Sequence, residues 1–157
     1  MKGDEKVIDY LNQALRSELT AINQYMLHSH LLEDWGLDRL AKILFRQSVD
    51  EMHHARRLIG RILFLEGMPA MQELDALQIG QDVVQVLEND LAAEKRAIAL
   101  YREALAHCEA VQDYTSRALF AELIADEENH QDFVETELGL VERMGLENYQ
   151  QRQAQGE

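Results

Sequence analysis

The sequence predicts an all-α protein: a four-helix bundle with one long crossover and a short fifth helix at the C-terminus. Three observations predict it. Apolar residues recur at spacings of three and four over long stretches, the period of an amphipathic helix. Strand-like alternation is nearly absent, and Pro69 is the only proline in 157 residues. A set of residues in the first half returns in the second at one constant offset. Glu18, Glu51 and His54 recur as Glu94, Glu127 and His130, each 76 residues further on, and Ala21, Ile22, Tyr25 and Asp50 recur as Ala97, Ile98, Tyr101 and Asp126. A helix pair used twice, with approximate two-fold symmetry, produces such an offset.

The first helix is expected over about 5–33, with Val7, Ile8, Leu11, Leu15, Ala21, Ile22, Tyr25 and Met26 as its buried stripe. Asp34-Trp35-Gly36 breaks it, Gly36 suiting a helix C-terminus. Asp38 is the expected N-cap of a second helix over about 39–65. Gly67, Pro69 and Gly80 mark a longer connection over about 66–81. A third helix covers about 82–110 and a fourth about 114–144, ended by Gly145. A short helix over about 146–153 precedes a polar tail. Short links make the first and second helices antiparallel neighbours, and likewise the third and fourth, while the long link can span a bundle. A coiled coil is the alternative for helices of this length, but inward Glu and His are costly in a dry seam. The whole span 1–157 is read as one domain, long enough to bury a real core.

Composition narrows the function. With 29 acidic and 15 basic residues the formal net charge is −14, which disfavours nucleic acid and anionic membranes. It suits a protein that handles cations, because an acidic surface concentrates them. Cys108 is the only cysteine, so no intramolecular disulfide is expected, and it reads as a small apolar residue on its helix. The N-terminal Met-Lys-Gly-Asp-Glu-Lys leads into an amphipathic stretch with no signal-peptide apolar core. Apolar runs fall far short of the roughly 20 residues that cross a bilayer. The expected location is the cytoplasm.

The repeated residues are metal-ligand types at metal-ligand spacing. Residues three apart share a helix face, so Glu51 with His54, and Glu127 with His130, can each share a metal. Glu18 lies among Leu15, Ala21, Ile22 and Tyr25, and Glu94 among Leu91, Ala97, Ile98 and Tyr101. A buried ionised Glu needs a charged partner. Four inward carboxylates without cations repel, and some take up protons; two divalent cations nearly neutralise them. One Glu from each of two helices and a Glu-x-x-His from each of the other two is the ligand set of a di-iron bundle. The ligand types suit iron or manganese, and zinc also binds such a set. A single Glu-x-x-His is a weak signal; the constant offset makes the joint pattern strong.

Tyr25 lies seven residues after Glu18, two turns along one face, where its hydroxyl can bond a ligand carboxylate or supply an electron during oxygen chemistry. Tyr101, in the matching place, reads more readily as a core tyrosine with any acceptor. His53 points about 100 degrees away from His54. His28, His30 and His107 read as solvated or internally satisfied histidines. Met52 reads as a packing or interface methionine, and Asp34, Glu66 and Asp132 as solvated acids, with a subunit-junction pore as their functional alternative.

Over nearly its whole length the chain resembles the bacterioferritins. The resemblance rests on the opening Met-Lys-Gly-Asp, on Glu18 with the Ala21-Ile22-Asn23-Gln24-Tyr25 that follows, and on Glu33-Asp34-Trp35-Gly36-Leu37. It continues through Asp50-Glu51-Met52, His54-Ala55, Arg61-Ile62-Leu63-Phe64-Leu65-Glu66-Gly67, Glu127-Glu128, His130, Glu135-Thr136 and Gly145-Leu146-Glu147-Asn148-Tyr149. It implies a ferritin-like bundle assembled from two-fold dimers into a hollow cage of about 24 identical subunits with closed symmetry. It further implies a di-iron centre that oxidises Fe(II) with O2 or H2O2, and ferric mineral stored inside. Glu51 and Glu127 would bridge the irons, with Glu18 and His54 completing one and Glu94 and His130 the other. Met52 matches the methionine through which two subunits share a haem b, a soft-ligand electron-transfer site. A ferredoxin could deliver electrons for iron release. Arg46 stands where some relatives place an inner-wall iron-binding histidine, and it cannot ligate a cation. Phe133 stands where some have a redox-active aromatic.

Three other readings compete. A di-iron peroxidase of the rubrerythrin kind, without storage, lacks the Cys-x-x-Cys module that Cys108 alone cannot build. A DNA-protecting cage sits poorly with the acidic balance. A manganese catalase shares the ligand style and is separated by metal analysis.

Overall fold

The computed structural model describes residues 1–155; the last two residues of the expected 1–157 span lie outside the described residues. Five helices run in order: α1 Glu5–Asp34, α2 Asp38–Phe64, α3 Val83–Ala110, α4 Tyr114–Met144 and α5 Leu146–Ala154. This is the expected four-helix bundle with a short C-terminal helix, and no strand occurs among the described residues. No helix among them is long and apolar enough to cross a membrane.

Three helices begin on an aspartate whose side chain accepts a backbone N–H of the first turn. Asp4 accepts from Val7 at 3.0 Å, Asp82 from Gln85 at 2.9 Å and Asp113 from Ser116 at 3.0 Å. The expectation that Asp38 caps α2 is corrected. The cap position belongs to Leu37, which has no side-chain acceptor and is buried in the core, so Asp38 becomes the first helical residue. There its charge still faces the positive helix end. Helices α2 and α3 end on left-handed residues that are not glycine, Glu66 (φ 66°) and Gln112 (φ 65°). Each is held by a pair of backbone bonds, Gly67 N–H to Ile62 O at 2.9 Å and Asp113 N–H to Cys108 O at 2.9 Å being the outer ones. At Gly145 the chain takes φ 84° and ψ 149°, essentially glycine-only backbone, and turns from α4 into α5.

Helices α1 and α2 form one antiparallel pair and α3 and α4 the other. Ser29 Oγ donates to Ala41 O at 2.8 Å and Ser48 Oγ to Ile22 O at 3.0 Å, which fixes the register of the first pair. The core falls into two apolar clusters. One gathers Val7 to Leu15, Ala55 to Leu65, Ala97 to Cys108 and Leu119 to Leu123; the other gathers Leu32 to Leu44, Val83 to Leu87, Val134 and Tyr149. Glu18, Glu51, Glu94 and Glu127 fall between the two on all four helices. Helix α5 closes one end: the Tyr149 hydroxyl donates to Glu137 Oε1 at 2.9 Å and Arg39 donates to Gln153 Oε1 at 3.3 Å.

The crossover is stitched to α1 by a polar residue on every fourth position. Asn12 bonds the backbone of Met68 and Ala70, Arg16 pairs with Asp75 at 2.8 Å, and Thr20 accepts from Asp75 N–H at 2.9 Å. Gln24 accepts from Gln78 N–H at 3.0 Å and His28 Nε2 from Gly80 N–H at 3.0 Å. At Gly80 an added Cβ would sit 2.3 Å from the Val86 nitrogen, so only glycine allows the crossover to enter α3 this closely. His28 is therefore a satisfied buried histidine, its Nδ1–H meeting Asp90 Oδ1 at 2.9 Å. We expect His28→Ala to lower stability by about 2–4 kcal/mol, because it strands the Gly80 N–H and weakens the support of Asp90, both buried. Chemical denaturation of the metal-free protein checks this; a change below about 0.5 kcal/mol would contradict it.

Candidate metal centre

Each ligand type arrives from a helix position that the apolar stripe makes inward. Glu18 follows Leu11, Ala14 and Leu15 on the buried face of α1, and Glu94 follows Val86, Leu87 and Asp90 on that of α3. Glu51 with His54 on α2, and Glu127 with His130 on α4, stand one turn apart. All six are buried, none more than 8% exposed.

The structure brings them together as two overlapping groups of four. Glu18, Glu51, His54 and Glu127 each offer one ligand atom, all within 4.8 Å of one another. Glu51, Glu94, Glu127 and His130 do the same, so Glu51 and Glu127 belong to both. His54 Nδ1 lies 3.2 Å from Glu127 and 3.5 Å from Glu18; His130 Nδ1 lies 3.1 Å from Glu51 and 3.6 Å from Glu94. Every one of the six residues points one buried atom at this space without a hydrogen-bond partner: Glu18 Oε2, Glu51 Oε1, His54 Nδ1, Glu94 Oε2, Glu127 Oε1 and His130 Nδ1. Buried polar atoms are almost always satisfied. Six orphans converging on one point are what a pair of cations would satisfy, so the residues fit a di-metal centre.

The second oxygens are held across the bundle. The Tyr25 hydroxyl donates to Glu94 Oε1, and the Tyr101 hydroxyl to Glu18 Oε1 at 2.5 Å. The sequence expected Tyr25 to bond a ligand carboxylate without saying which; each tyrosine reaches the carboxylate on the facing helix. Tyr101, read from sequence as a core tyrosine with any acceptor, thus holds a ligand carboxylate as Tyr25 does. The signal was available in the repeat, which treats the two alike. On the far side, His54 Nε2 lies 2.9 Å from Asp126 Oδ2 and His130 Nε2 lies 3.2 Å from Asp50 Oδ2. A cavity of about 620 Å³ between α1, α3 and the crossover reaches Tyr25, Glu51, Glu94 and Glu127 from a rim that includes Arg16, Asp75 and Arg96. Met52 stands apart from this set, 43% exposed on the outside of α2, and His53 is exposed too, as its helix position predicts.

Without cations, this set holds protons. Burial, and then the Glu18 charge, push Glu51 well above the carboxylate range, and burial with Glu127 beside it raises Glu94 from 4.5 to about 8. Burial alone would lower the histidines, but carboxylate partners outweigh it: Glu127 and Glu18 raise His54 from 6.5 to about 11, and Glu94 raises His130 to about 9. Burial and the ligand carboxylates keep both tyrosines neutral, their pKa values raised well above 10.0.

Residues 8–144 match the ferritin-like domain family. A bacterioferritin of Rhodobacter capsulatus is 53% identical over 149 residues, 95% of this chain and 92% of that protein. A bacterioferritin of Brucella melitensis biotype 1 is 53% identical over 154 residues, 98% of this chain and 96% of that one. The chain belongs to the bacterioferritin family. A bacterial ferritin of Synechocystis is 44% identical over 154 residues, covering 98% and 99% of the two chains. The helix order is therefore that of a ferritin-like member on independent grounds of geometry and relationship.

The protonated cluster sets a sign for stability. From about pH 4.5 to 8 the folded chain binds more protons at Glu94 than the unfolded chain does, so its stability falls as pH rises. His54 and His130 contribute stability that is complete below 6.5 and lost as pH climbs towards about 11 and about 9. We expect the metal-free protein to melt at a lower temperature near pH 8.5 than near pH 5.5, with a shallower slope in Glu94→Gln. Divalent cations displace the protons and should flatten or invert the trend. Calorimetry with and without Co(II) checks it; a metal-free melting temperature that rises with pH would contradict it.

Proposed function

We propose that the chain is a ferroxidase subunit of an iron-storage cage. The sharing of Glu51 and Glu127 between two four-residue groups carries the reading, because two cations held there would occupy adjacent places with two residues in common. Glu18 and His54 would complete one place, Glu94 and His130 the other. The chemistry supplied there is one-electron oxidation of each Fe(II) substrate by O2 or H2O2, ahead of ferric mineral storage.

The chain's own residues prepare that step in three ways. Four carboxylates nearly cancel the charge of two Fe(II) ions, so a dry site can hold both. The neutral tyrosine hydroxyls fix Glu94 and Glu18 in one orientation, which lowers the reorganisation needed as iron changes charge. Tyr25 also lines the cavity, so an oxidant using that route meets its phenol next to Glu94, where it is placed to supply an electron.

Supporting assembly, the outer surface carries Met26, which is exposed rather than part of the buried stripe the sequence assigned it to, together with exposed Phe45, Met52, Leu63, Phe64 and Met68. Such side chains are expected to be covered by neighbouring subunits. The reading extends to a homo-oligomeric cage of about 24 subunits built from two-fold dimers, in the cytoplasm, with closed symmetry. Met52 would ligate a haem b shared with a second subunit. Exposed Phe45, two turns earlier on α2, and exposed Met26, brought level with Phe45 by the α1–α2 register, support that reading, since a macrocycle there would lie against apolar side chains. A ferredoxin would then be the electron donor for iron release.

Glu94→Ala should slow initial Fe(II) oxidation by at least roughly tenfold, since even outer-sphere losses cost that much at metal sites, while the assembly persists. Stopped-flow ferric absorbance and gel filtration check it, and unchanged initial kinetics would overturn the site. Met52→Leu should remove the haem Soret band while leaving Fe(II) oxidation in place. Full haem content in a completely substituted assembly would overturn the Met52 assignment.

A further inference from the structure

The cavity of about 620 Å³ between α1, α3 and the crossover carries a charge pattern that the metal centre does not explain. Apart from Glu51, Glu94 and Glu127 at its floor, its charged lining residues are Arg16, Arg96 and Asp75, two cations against one anion. The chain as a whole runs the other way, with 29 acidic and 15 basic residues. Arg16 is partly neutralised, its Nε pairing with Asp75 Oδ1 at 2.8 Å. Arg96, exposed on α3, makes no ion pair among the described residues. Neither arginine belongs to the repeat, which has Ala92 in the place of Arg16 and Thr20 in the place of Arg96, so the symmetry that builds the centre does not require them.

We propose that Arg16 and Arg96 are specificity-determining residues of this entrance, which admit an uncharged oxidant and turn away divalent cations, so that Fe(II) reaches the centre by another way. The proposal rests on the di-metal reading above and assigns its two substrates separate routes. A guanidinium keeps its charge at any working pH and offers only donors, so it cannot hold a cation in passage. O2 and H2O2 carry no net charge near neutrality and meet no such barrier. Below the rim the walls include Ala21, Ala93, Ala97 and Leu100. The alanines leave the passage open, and apolar walls focus the field of the rim where open water would screen it. At the floor the Tyr25 hydroxyl stands against Glu94.

A purely structural role is open to one of the pair only. Arg16 helps to fasten the crossover at Asp75, whose backbone N–H also reaches Thr20 at 2.9 Å. Arg96 fastens nothing among the described residues, yet it too lines the cavity. Its charge at the mouth therefore carries the test, free of any effect on how the crossover is held.

Stopped-flow mixing with Co(II), read through its d–d bands, follows cation entry into the full-length protein without a redox step. Wild type should bind two Co(II) per chain, the number of overlapping ligand groups. Arg96→Glu should speed Co(II) entry by roughly three- to tenfold at low ionic strength, by opening a second way in, and the gain should vanish in about 1 M salt. Arg96→Lys, which keeps the charge, should behave as wild type. Ala93→Phe should narrow the passage and slow the reaction of H2O2 with an anaerobically Fe(II)-loaded centre by roughly threefold or more, while Co(II) entry stays at the wild-type rate. Co(II) entry into Arg96→Glu no faster than into wild type would overturn the proposal, and so would Arg96→Lys matching Arg96→Glu. An H2O2 reaction untouched by Ala93→Phe, or an equal slowing of Co(II) entry, would overturn it as well. Arg96→Glu alters an exposed side chain and tests the rim even where Ala93→Phe fails to fold. A wild-type chain that binds no Co(II) would instead overturn the di-metal reading itself.

Discussion

Four carboxylates buried at the middle of the bundle are the constraint on which the rest depends. Charges of one sign a few ångströms apart in a dry interior repel by far more than a domain's net stability unless protons or cations compensate them. The fold meets this demand by division. Apolar packing is concentrated in two clusters, one towards each end of the bundle, and the polar layer occupies the belt between them. The two clusters hold the helices in place, so the belt need not contribute stability and can keep six atoms without partners. Helices of 27 to 31 residues are what this requires, since each must supply two apolar segments and a ligand layer.

Two-fold symmetry is retained where the cations would bind and abandoned elsewhere. Glu18 and Glu94, Tyr25 and Tyr101, and Asp50 and Asp126 keep the offset, and their bonds cross between halves in matching ways. The α1 stripe that binds the crossover does not. Asn12, Arg16, Thr20, Gln24 and His28 become Glu88, Ala92, Arg96, Leu100 and Ala104. One crossover exists, so one helix alone needs the polar rungs. Buried Asp90 ties this asymmetric stitching to the symmetric centre. It accepts from Gln24 and His28 one turn before Glu94, and burial, against the pull of His28, raises its pKa.

The ligands were legible because inward Glu and His conflict with the apolar stripe, and a conflict repeated at one offset is specific. Helix extents were legible to within a residue or two from the 3.6-residue period and the aspartate caps. Partner identity was not. Spacing along one helix says which face Tyr25 and His54 occupy, but not that the tyrosine crosses to α3 and the histidine to Asp126. Left-handed Glu66 and Gln112 were hidden for a similar reason: neither residue type marks a positive φ, and the backbone bonds that close α2 and α3 across them join residues five apart. The crossover stitching had a visible signal, five polar residues at every fourth position of α1. It could be seen as a stripe without revealing that an extended segment covers it.

Pre-arrangement of the centre follows from how each ligand is held. Glu18 and Glu94 are held by tyrosines, and His54 and His130 by aspartates, all from facing helices. Only the two shared carboxylates, Glu51 and Glu127, lack a side-chain hydrogen bond of this kind, which leaves the pair common to both groups of four the most free to adjust. Binding of two cations would therefore exchange protons for metal on a scaffold already in place, with little chain entropy lost. The carboxylates and imidazolium ions that bear the cost of loading are the groups that burial and mutual attraction have kept protonated. Metal uptake at such a set must then release protons, so its affinity would rise with pH.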